Sequence, residues 1–221
     1  MAERMLALYG HPFSSYCWKA LIALYANATP FEFRMVDPDH PDWLEAVGSA
    51  SPLGKFPMLE DGENLIFEST TIIEYLDRHF PGAHQLLPTD PDAAIGARML
   101  DRVFDNYVQG PMTEIVREYL LAAGGVPDAA RIARAQDQLQ RAYAWLDSWL
   151  QFYPAAGQIT LIECSAAPAL FYADWVAPIP HSAPRLQAWR AHLLALPPIA
   201  HCVDDARPFR AIFPPGAPDR D

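Results

Sequence analysis

The sequence is short of positive charge. Its 221 residues hold 16 lysines and arginines against 27 aspartates and glutamates, a formal net charge of −11 at pH 7. A chain of this kind has no net attraction for a polyanion, and no run of Lys and Arg with interleaved aromatic residues creates a local one. We therefore expect no nucleic-acid partner.

Cysteine is also scarce. The three cysteines, Cys17, Cys164 and Cys202, are odd in number, far apart and not spaced as metal ligands. This pattern indicates neither a disulfide framework nor a zinc site, so we expect no metal. Free cysteines are typical of a reducing compartment.

Long apolar runs are missing as well. The N-terminus, MAERMLALYGHPF, lacks the apolar segment of a signal peptide, and no stretch approaches the roughly 20 apolar residues that span a bilayer. From this we expect a cytoplasmic protein with no membrane partner.

The first third of the chain alternates strand-like and helix-like segments. Residues 5–9 and 31–36 have the pattern of short strands, and the helical segment 15–26 between them places Trp18, Leu21, Ile22 and Tyr25 on one face. Asp61-Gly62 then marks a hairpin turn, and Ser69 is a candidate cap for a helix that ends before Pro81-Gly82. The order predicts a small mixed sheet that carries helices.

From Pro91 onward the strand signals stop. Helical spacing covers 91–122, 128–152, 161–177 and 184–196. The domain prediction is 1–81 for the α/β part, 82–91 for a linker and 92–221 for an all-helical part. Gly110-Pro111 is expected to break or kink the first long helix, and the Pro-rich tail from Pro208 is expected to be a strapped or mobile extension.

This architecture, together with the segments SPLGKFPML, FESTTIIEYL and SSYCWKALIAL, resembles the cytosolic glutathione transferases over essentially the whole chain. The last segment is similar to the zeta-class pattern SSCxWRVRIAL, and the spacing of Lys-Phe-Pro and Glu-Ser is similar to that of the tau class. As a whole, the sequence resembles a serine-type, zeta-, tau- or theta-like member of bacterial style. The resemblance implies an α/β thioredoxin-like N-terminal domain and an all-α C-terminal domain. It also implies a cytoplasmic homodimer that uses glutathione as co-substrate against a small hydrophobic electrophile, in detoxification.

The resemblance assigns a glutathione site residue by residue. Glu68 and Ser69 match the acidic-Ser pair that holds the γ-glutamyl end, with Ser69 at a helix N-terminus suited to a carboxylate. Phe56-Pro57 matches the dipeptide with a cis proline. Lys55 matches a lysine that meets the glycine carboxylate, and His40 is a second candidate for that role.

Two serines compete for the role of thiolate stabiliser. Counting back from Lys19, which stands where the family has arginine, Ser14 matches the zeta and tau serine and Ser15 the theta and delta serine. To lower the pKa of a thiol by about two units, the protein must stabilise the thiolate over the thiol by roughly 2.7 kcal/mol. One hydrogen bond to a charged group supplies about 1.5 to 3 kcal/mol. We favour Ser14, with Ser15 as N-cap or second donor, and plain helix capping is the alternative for both.

Other readings compete with the serine-type transferase. Cys17 would make the protein a thiol reductase of the omega or beta type, although a buried free Cys beside Trp18 fits better. Tyr16 stands where the zeta pattern has cysteine, and Tyr9 ends the first strand near the position of the tyrosine of other classes. A non-catalytic glutathione-transferase-like binding or assembly module is the remaining alternative.

Several aromatic side chains are candidates for a hydrophobic co-substrate pocket between the two parts of the chain. They are Phe13, Phe104, Tyr107, Trp175 and Phe209.

Overall fold

A four-stranded sheet forms the centre of the N-terminal region. The computed structural model describes residues 5–153 and 157–221. The strands are β1 (Leu6–Gly10), β2 (Phe31–Met35), β3 (Met58–Asp61) and β4 (Asn64–Phe67). Their order is β2-β1-β3-β4, with β1 parallel to β2 and the other two pairings antiparallel. The predicted strands and the Asp61-Gly62 hairpin are therefore confirmed.

Three helices accompany this sheet: α1 (Ser15–Ala26), α2 (Pro41–Ala50) and α3 (Ser69–His79). The sequence analysis missed α2, because Val47 is its one fully buried residue and leaves no apolar stripe to recognise. The order of strands and helices is thioredoxin-like, so the predicted fold class of this region is confirmed.

The remainder of the described chain is helical, as predicted. Its α-helices are α4 (Pro91–Val103), α5 (Gly110–Ala122), α6 (Ala129–Trp149), α7 (Leu161–Val176), α8 (Pro184–Ala195) and α9 (Pro197–Ala206). Every residue of α7 is buried, and this helix packs directly against α1. The apolar core is consequently continuous from the sheet into the helical region.

The expected break at Gly110-Pro111 takes the form of a π-helical segment, Phe104–Gln109, between α4 and α5. Proline in a helix interior lacks the N–H donor, and its ring clashes with the carbonyl one turn earlier. Widening of the preceding turn relieves that clash, and the Gly110 N–H bonds instead to the Asp105 carbonyl five residues back. The long helix thus continues through its proline.

The C-terminal tail is strapped to the body. It follows α9, a helix that was not expected from the sequence, and its first residues form part of a 3-10 turn over Arg207–Ile212. Arg207 and Arg210 both pair with Asp221, and the Phe213 ring is buried against Trp175. Of the two forms expected for the tail, the structure has the strapped one.

A buried ion cluster joins α1 to α4. Lys19 Nζ lies 2.6 Å from Asp101 Oδ1 and 2.9 Å from Asp105 Oδ1, and the side chains of Lys19 and Asp101 are 2% and 0% exposed. The hydroxyl of Ser165 on α7 donates to Asp101 at 2.6 Å. Burial raises the pKa of Asp101, but the attraction and hydrogen bond of Lys19 lower it, and with the other hydrogen-bond donors the net pKa lies below its ordinary value. The cluster therefore links α1, α4 and α7 through charged and polar groups that are buried from solvent.

We predict that Lys19→Ala lowers the free energy of unfolding by about 3–5 kcal/mol, because Asp101 and Asp105 lose their buried cation and keep only the exposed Arg102 as a partner. Urea denaturation measures the change. Arg98→Ala is the matched control: Arg98 forms an exposed pair with Glu74, and its loss is expected to cost less than about 1 kcal/mol. Equal losses in the two variants would contradict the structural role given to Lys19.

Candidate functional site

A polar cleft opens at the edge of the sheet. It has a volume of about 240 Å³ and is lined by Lys55, Phe56, Pro57, Glu68 and Ser69 from the N-terminal region. Arg102, Asp105 and Asn106 close it from the helical region. Five of the predicted binding residues therefore meet in one cleft.

Two local backbone features shape this cleft. The Phe56-Pro57 peptide bond is cis, as the resemblance implied. Glu68 has φ +65°, a conformation that costs a non-glycine residue about 1–3 kcal/mol and is concentrated at functional sites. Because the chain turns at Glu68, this residue is the N-cap of α3, and Ser69, which was expected to cap the helix, is its first residue.

An apolar cavity of about 350 Å³ adjoins the polar cleft, and Tyr16 lines both. Phe13, Ser14 and Ser15 form the side of this cavity at the start of α1. The other walls come from α5 and from the tail and are largely apolar. They comprise Met112, Thr113, Val116, Leu120, Ile212, Phe213 and Pro214.

Ser14 is the N-cap of α1. Its Oγ accepts a hydrogen bond from the Cys17 backbone N–H at 3.3 Å, and its own N–H donates to the His11 carbonyl at 2.9 Å. The Trp18 indole N–H holds the same loop by donating to the Pro12 carbonyl at 2.6 Å. The Ser14 hydroxyl is thus fixed at the positive end of a helix, beside the cavity.

Ser15 is the first residue of α1, so the expectation that it caps the helix was wrong: the chain is still extended at Ser14, and the cap belongs to that residue. The side-chain amide of Gln109 donates to Ser15 Oγ. Gln109 lies in the π-helical segment and is almost fully buried. The two serines therefore lie on the same cavity but have different partners.

Arg102 and Asp105 are cleft residues that the sequence analysis missed. Arg102 bonds to Asp101 at 2.5 Å and to Asp105 at 2.7 Å, so the buried ion cluster extends into the cleft. Burial raises the pKa of Asp105 in spite of Lys19. No local motif marks these residues: Arg102 directly follows Asp101, and Asp105 lies at i+4 from Asp101, a spacing shared by many helices.

His40 does not line the polar cleft. Its ring stacks on Trp43 at 4.5 Å between centroids, and Nδ1 lies 2.7 Å from Asp37 Oδ1. These two neighbours hold the imidazole at the start of α2. His40 thus lies outside the lining of the polar cleft, whereas Lys55, the other candidate for the glycine carboxylate, lines it.

Four of the five aromatic residues expected to line the co-substrate pocket lie outside the lining of the apolar cavity. Phe104 is fully buried against Trp189, and Tyr107 lies on a separate surface hollow with Trp145. Trp175 packs behind Phe213 rather than on the cavity. Phe13 alone remains on the cavity, and Phe209 packs on His11.

Cys17 is sealed inside the protein. A Cβ atom on Gly10 would lie 2.6 Å from Cys17 Sγ, so the thiol packs on bare backbone. Burial raises the pKa of Cys17 to about 11, and the neighbouring Ser14 side chain and the His11 N–H, which donates to Sγ, offset only part of that effect. A thiol in this state is neither exposed nor ionised at neutral pH.

The tyrosines beside the site are also accounted for. The Tyr9 hydroxyl donates to Glu60 Oε2 at 2.8 Å and accepts from Arg34, on the sheet and outside both cavities. Tyr16 lines both cavities, and burial raises its pKa to about 12. Neither phenol is therefore ionised near neutral pH.

The described residues contain no group of three or more His, Cys, Asp and Glu placed to hold a metal ion. Within the same part of the chain, none of the helices has the length and apolarity that a membrane-spanning helix needs.

Comparison with known proteins gives consistent results. Residues 8–84 match the family model "Glutathione S-transferase, N-terminal domain". The chain is 26% identical to glutathione S-transferase PARB of Nicotiana tabacum, over 87% of this chain and 94% of that protein. It is 29% identical to glutathione S-transferase 3 of Zea mays, over 87% and 90% of the two chains. The crystal structure of glutathione transferase F7 from Populus trichocarpa has the same fold, with a TM-score of 0.77, 22% identity and coverage of 91% and 99%.

We predict that native protein at pH 8 reacts with no more than a trace of a thiol reagent, whereas unfolded protein reacts at all three cysteines. The three thiols are free and buried, and the thiolate of Cys17 forms only as the pH approaches its raised pKa of about 11. Spectrophotometric titration with an aromatic disulfide measures both values. Rapid reaction of one native thiol that Cys17→Ser abolishes would contradict the buried assignment.

Proposed function

This chain belongs to the cytosolic glutathione S-transferase family, and we propose that it activates the thiol of glutathione for attack on a small hydrophobic electrophile. The observation that carries the proposal is the pair of adjoining cavities. One is polar with charges of both signs, the other is apolar, and Ser14 lies at the start of α1 beside them.

The charges of the polar cleft complement those of glutathione, which carries two carboxylates and one ammonium group. Glu68 is assigned to the ammonium of the γ-glutamyl residue, and the Ser69 N–H at the N-terminus of α3 to the adjacent carboxylate. Lys55 is assigned to the glycine carboxylate. Phe56, before Pro57, presents its backbone amide groups to the cysteinyl part of the tripeptide.

Ser14 is assigned to the thiolate. The Cys17 N–H occupies an acceptor position of its hydroxyl oxygen, which leaves the Ser14 proton to be donated to sulfur. A hydrogen bond to a charged group contributes about 1.5–3 kcal/mol, and the helix N-terminus adds about 0.3–1 kcal/mol. These values cover the roughly 2.7 kcal/mol that a thiol pKa lowered by two units requires.

In the proposed reaction the thiol proton leaves to solvent, and the thiolate attacks an electrophile held in the apolar cavity. Phe13, Met112, Val116 and Phe213 supply the apolar contacts and exclude water from the attacked carbon. Ser14 donates a hydrogen bond to the sulfur and forms no covalent bond. The product is a thioether of glutathione; the electron pair of the broken bond departs with the displaced group or, in an addition, moves to the neighbouring atom, which then takes a proton from water.

The two alternatives have less support. A thiol reductase would need an accessible low-pKa cysteine, and Cys17 is buried with a raised pKa. A non-catalytic binding module has no observation in its favour, because Ser14 and the polar cleft are both in place.

We further propose a cytoplasmic homodimer that acts in detoxification, with the domain division 1–81, 82–91 and 92–221. The division is supported by the end of α3 at His79 and the start of α4 at Pro91. Support for the dimer comes from apolar side chains that are exposed along α4, the π-helical segment and α6. They are Ile95, Met99, Tyr107 and Trp145.

We predict that Ser14→Ala raises the pKa of bound glutathione by about one to two units, because the lost hydrogen bond favours the anion. Glutathione affinity should stay within a few fold, and turnover at pH 7 should fall about 10- to 100-fold. The pH dependence of thiolate absorbance measures the pKa, with Ser182→Ala, an exposed serine away from the site, as control. An unchanged pKa in Ser14→Ala would remove this serine from the mechanism.

Glu68→Gln should weaken glutathione binding about tenfold or more, since it removes the charge assigned to the ammonium group. Titration calorimetry measures the dissociation constant. Glu63→Gln, at an exposed position in the hairpin turn, is the control and should bind normally. Equal affinity in both variants would show that Glu68 does not contact the tripeptide.

A further inference from the structure

A separate hollow lies at the C-terminal end of α7. It has a volume of about 370 Å³ and is formed by the end of α7, the loop after it, helix α8 and the end of the tail. Its charged and titratable lining residues are Asp174, His181, Arg190 and Arg220. None of them lines the polar cleft or the apolar cavity. We call this feature the α8 hollow.

Two guanidinium groups share one carboxylate in the α8 hollow. Arg220 donates to Asp174 Oδ2 and, at 2.8 Å, to the Asp174 carbonyl. Arg190 Nη2 lies 3.5 Å from the same Oδ2 atom. The other carboxylate oxygen, Oδ1, accepts from the Ile179 N–H at 2.7 Å. The lining of the hollow therefore carries one more positive charge than negative.

The carboxylate of the tail does not remove this excess. Asp221 is close enough for its charge to act on Arg190. Its oxygens, however, pair with Arg207 at 2.6 Å and with Arg210 at 3.0 Å, so Asp221 is already matched by two cations. In a chain with a net charge of −11, the α8 hollow is thus a local site of positive charge that attracts anions.

Arg190 is the less satisfied of the two guanidinium groups. Its side chain is 12% exposed, and Nε donates to the Leu170 carbonyl at 3.3 Å. Among the described residues, neither of its Nη atoms has a hydrogen-bond acceptor, and Nη2 is fully buried. Burial lowers the pKa of Arg190 more than Asp174 raises it, although an arginine stays charged at neutral pH. A largely buried cation with unused donors is costly, and an anion in the hollow relieves that cost.

The loop that forms the floor of the hollow is fixed and does not compete for the arginines. The backbone carbonyls of residues 176–179 each accept a hydrogen bond from a side chain of α6 or α8, at distances of 2.9–3.2 Å. The donors are Gln136, Tyr143, Gln140 and Gln187. These four neutral donors hold the loop in place before any ligand arrives, so the site is organised in advance.

We propose that the α8 hollow binds a phosphate group, free or on a small phosphate ester, between Arg190 and Arg220. The proposal concerns a second ligand and goes beyond glutathione transfer. The planar fork of a guanidinium matches phosphate oxygens, and a tetrahedral anion has enough acceptors for two guanidinium groups and the His181 ring together. The volume of about 370 Å³ lies within the range of small-molecule pockets, so an ester group has room as well.

Bound phosphate would also fasten the tail to the body. Arg220 belongs to the tail, and Phe213 of the same tail is a wall of the apolar cavity. Trp175, which directly follows Asp174, packs on Phe213 with 5.1 Å between ring centroids. A phosphate between Arg190 on α8 and Arg220 therefore adds a link close to the co-substrate wall and touches none of the reacting groups.

Calorimetric titration of the whole protein with sodium phosphate at pH 7, at an ionic strength kept constant with sodium chloride, tests the proposal. We expect saturable binding at one site with a dissociation constant of about 1 mM or lower. Arg190→Met keeps an apolar stem and removes the charge, and it should weaken binding about 10- to 100-fold, the range of one hydrogen bond to a charged group. Arg134→Met, at an exposed position on α6, is the matched control and should bind as wild type does.

Arg220→Met gives a second test that does not depend on a buried substitution. Because the Arg220 side chain is 42% exposed, we expect the fold to survive, and binding should again weaken about tenfold or more. Arg220→Lys keeps the charge without the fork and should restore part of the affinity. Titration with glycerol 3-phosphate identifies the source of the anion. Binding of both compounds assigns the phosphate group of an ester, and binding of free phosphate alone assigns the inorganic ion.

Four results would overturn the inference. They are heats no larger than those of sodium chloride, equal weakening in Arg134→Met, unchanged binding in both Arg190→Met and Arg220→Met, and acetate binding as tight as that of phosphate. Each leaves the proposed function standing, because the α8 hollow shares no lining residue with the polar cleft or the apolar cavity. Conversely, failure of wild type to ionise bound glutathione would remove the proposed function and leave the phosphate site intact.

Discussion

The arrangement of the site depends on the buried ion pairs of Lys19. This side chain lies on α1, one turn beyond the serines, and its partners Asp101 and Asp105 lie on a helical stretch that lines both cavities. Two charges removed from water are costly unless their geometry is well satisfied, and here Thr70 and Ser165 complete the cluster. The relative position of α1 and α4 is therefore strongly constrained, and with it the distance between the thiolate donor and the apolar wall.

Other contacts extend that constraint to the loop before α1 and to the tail. The Tyr172 hydroxyl on α7 donates to the Phe13 carbonyl at 3.0 Å, and Phe13 and Phe213 meet edge to face across the cavity. The serines, the cavity and the strapped tail are thus parts of one packed unit. In our account this packing holds the reacting sulfur and the electrophile in a fixed relation, which is how an enzyme gains from proximity.

Much of the fold could be predicted from the sequence because its signals are local. The strand patterns, the Asp61-Gly62 turn and the helix limits near Ser15, Pro91 and Leu161 depend on neighbouring residues. The site was only partly predictable. Motifs located the residues of the polar cleft, but no local pattern marks Gln109, whose contact with Ser15 joins residues far apart in the chain. Arg102 was missed because no motif marks it, and the folded chain alone brings it to the cleft beside Lys55 and Glu68. His40 lies outside the cleft lining because Asp37 and Trp43 hold its ring at the start of α2.

The central claim is that the polar cleft binds glutathione and that Ser14 ionises its thiol. Titration calorimetry at pH 7 in two buffers of different ionisation enthalpy counts the protons released on binding. The account predicts release approaching one proton per bound glutathione, and none with S-methylglutathione, which has no thiol proton to lose. Binding of glutathione with no more proton release than its S-methyl analogue, or no binding of either compound, would contradict it.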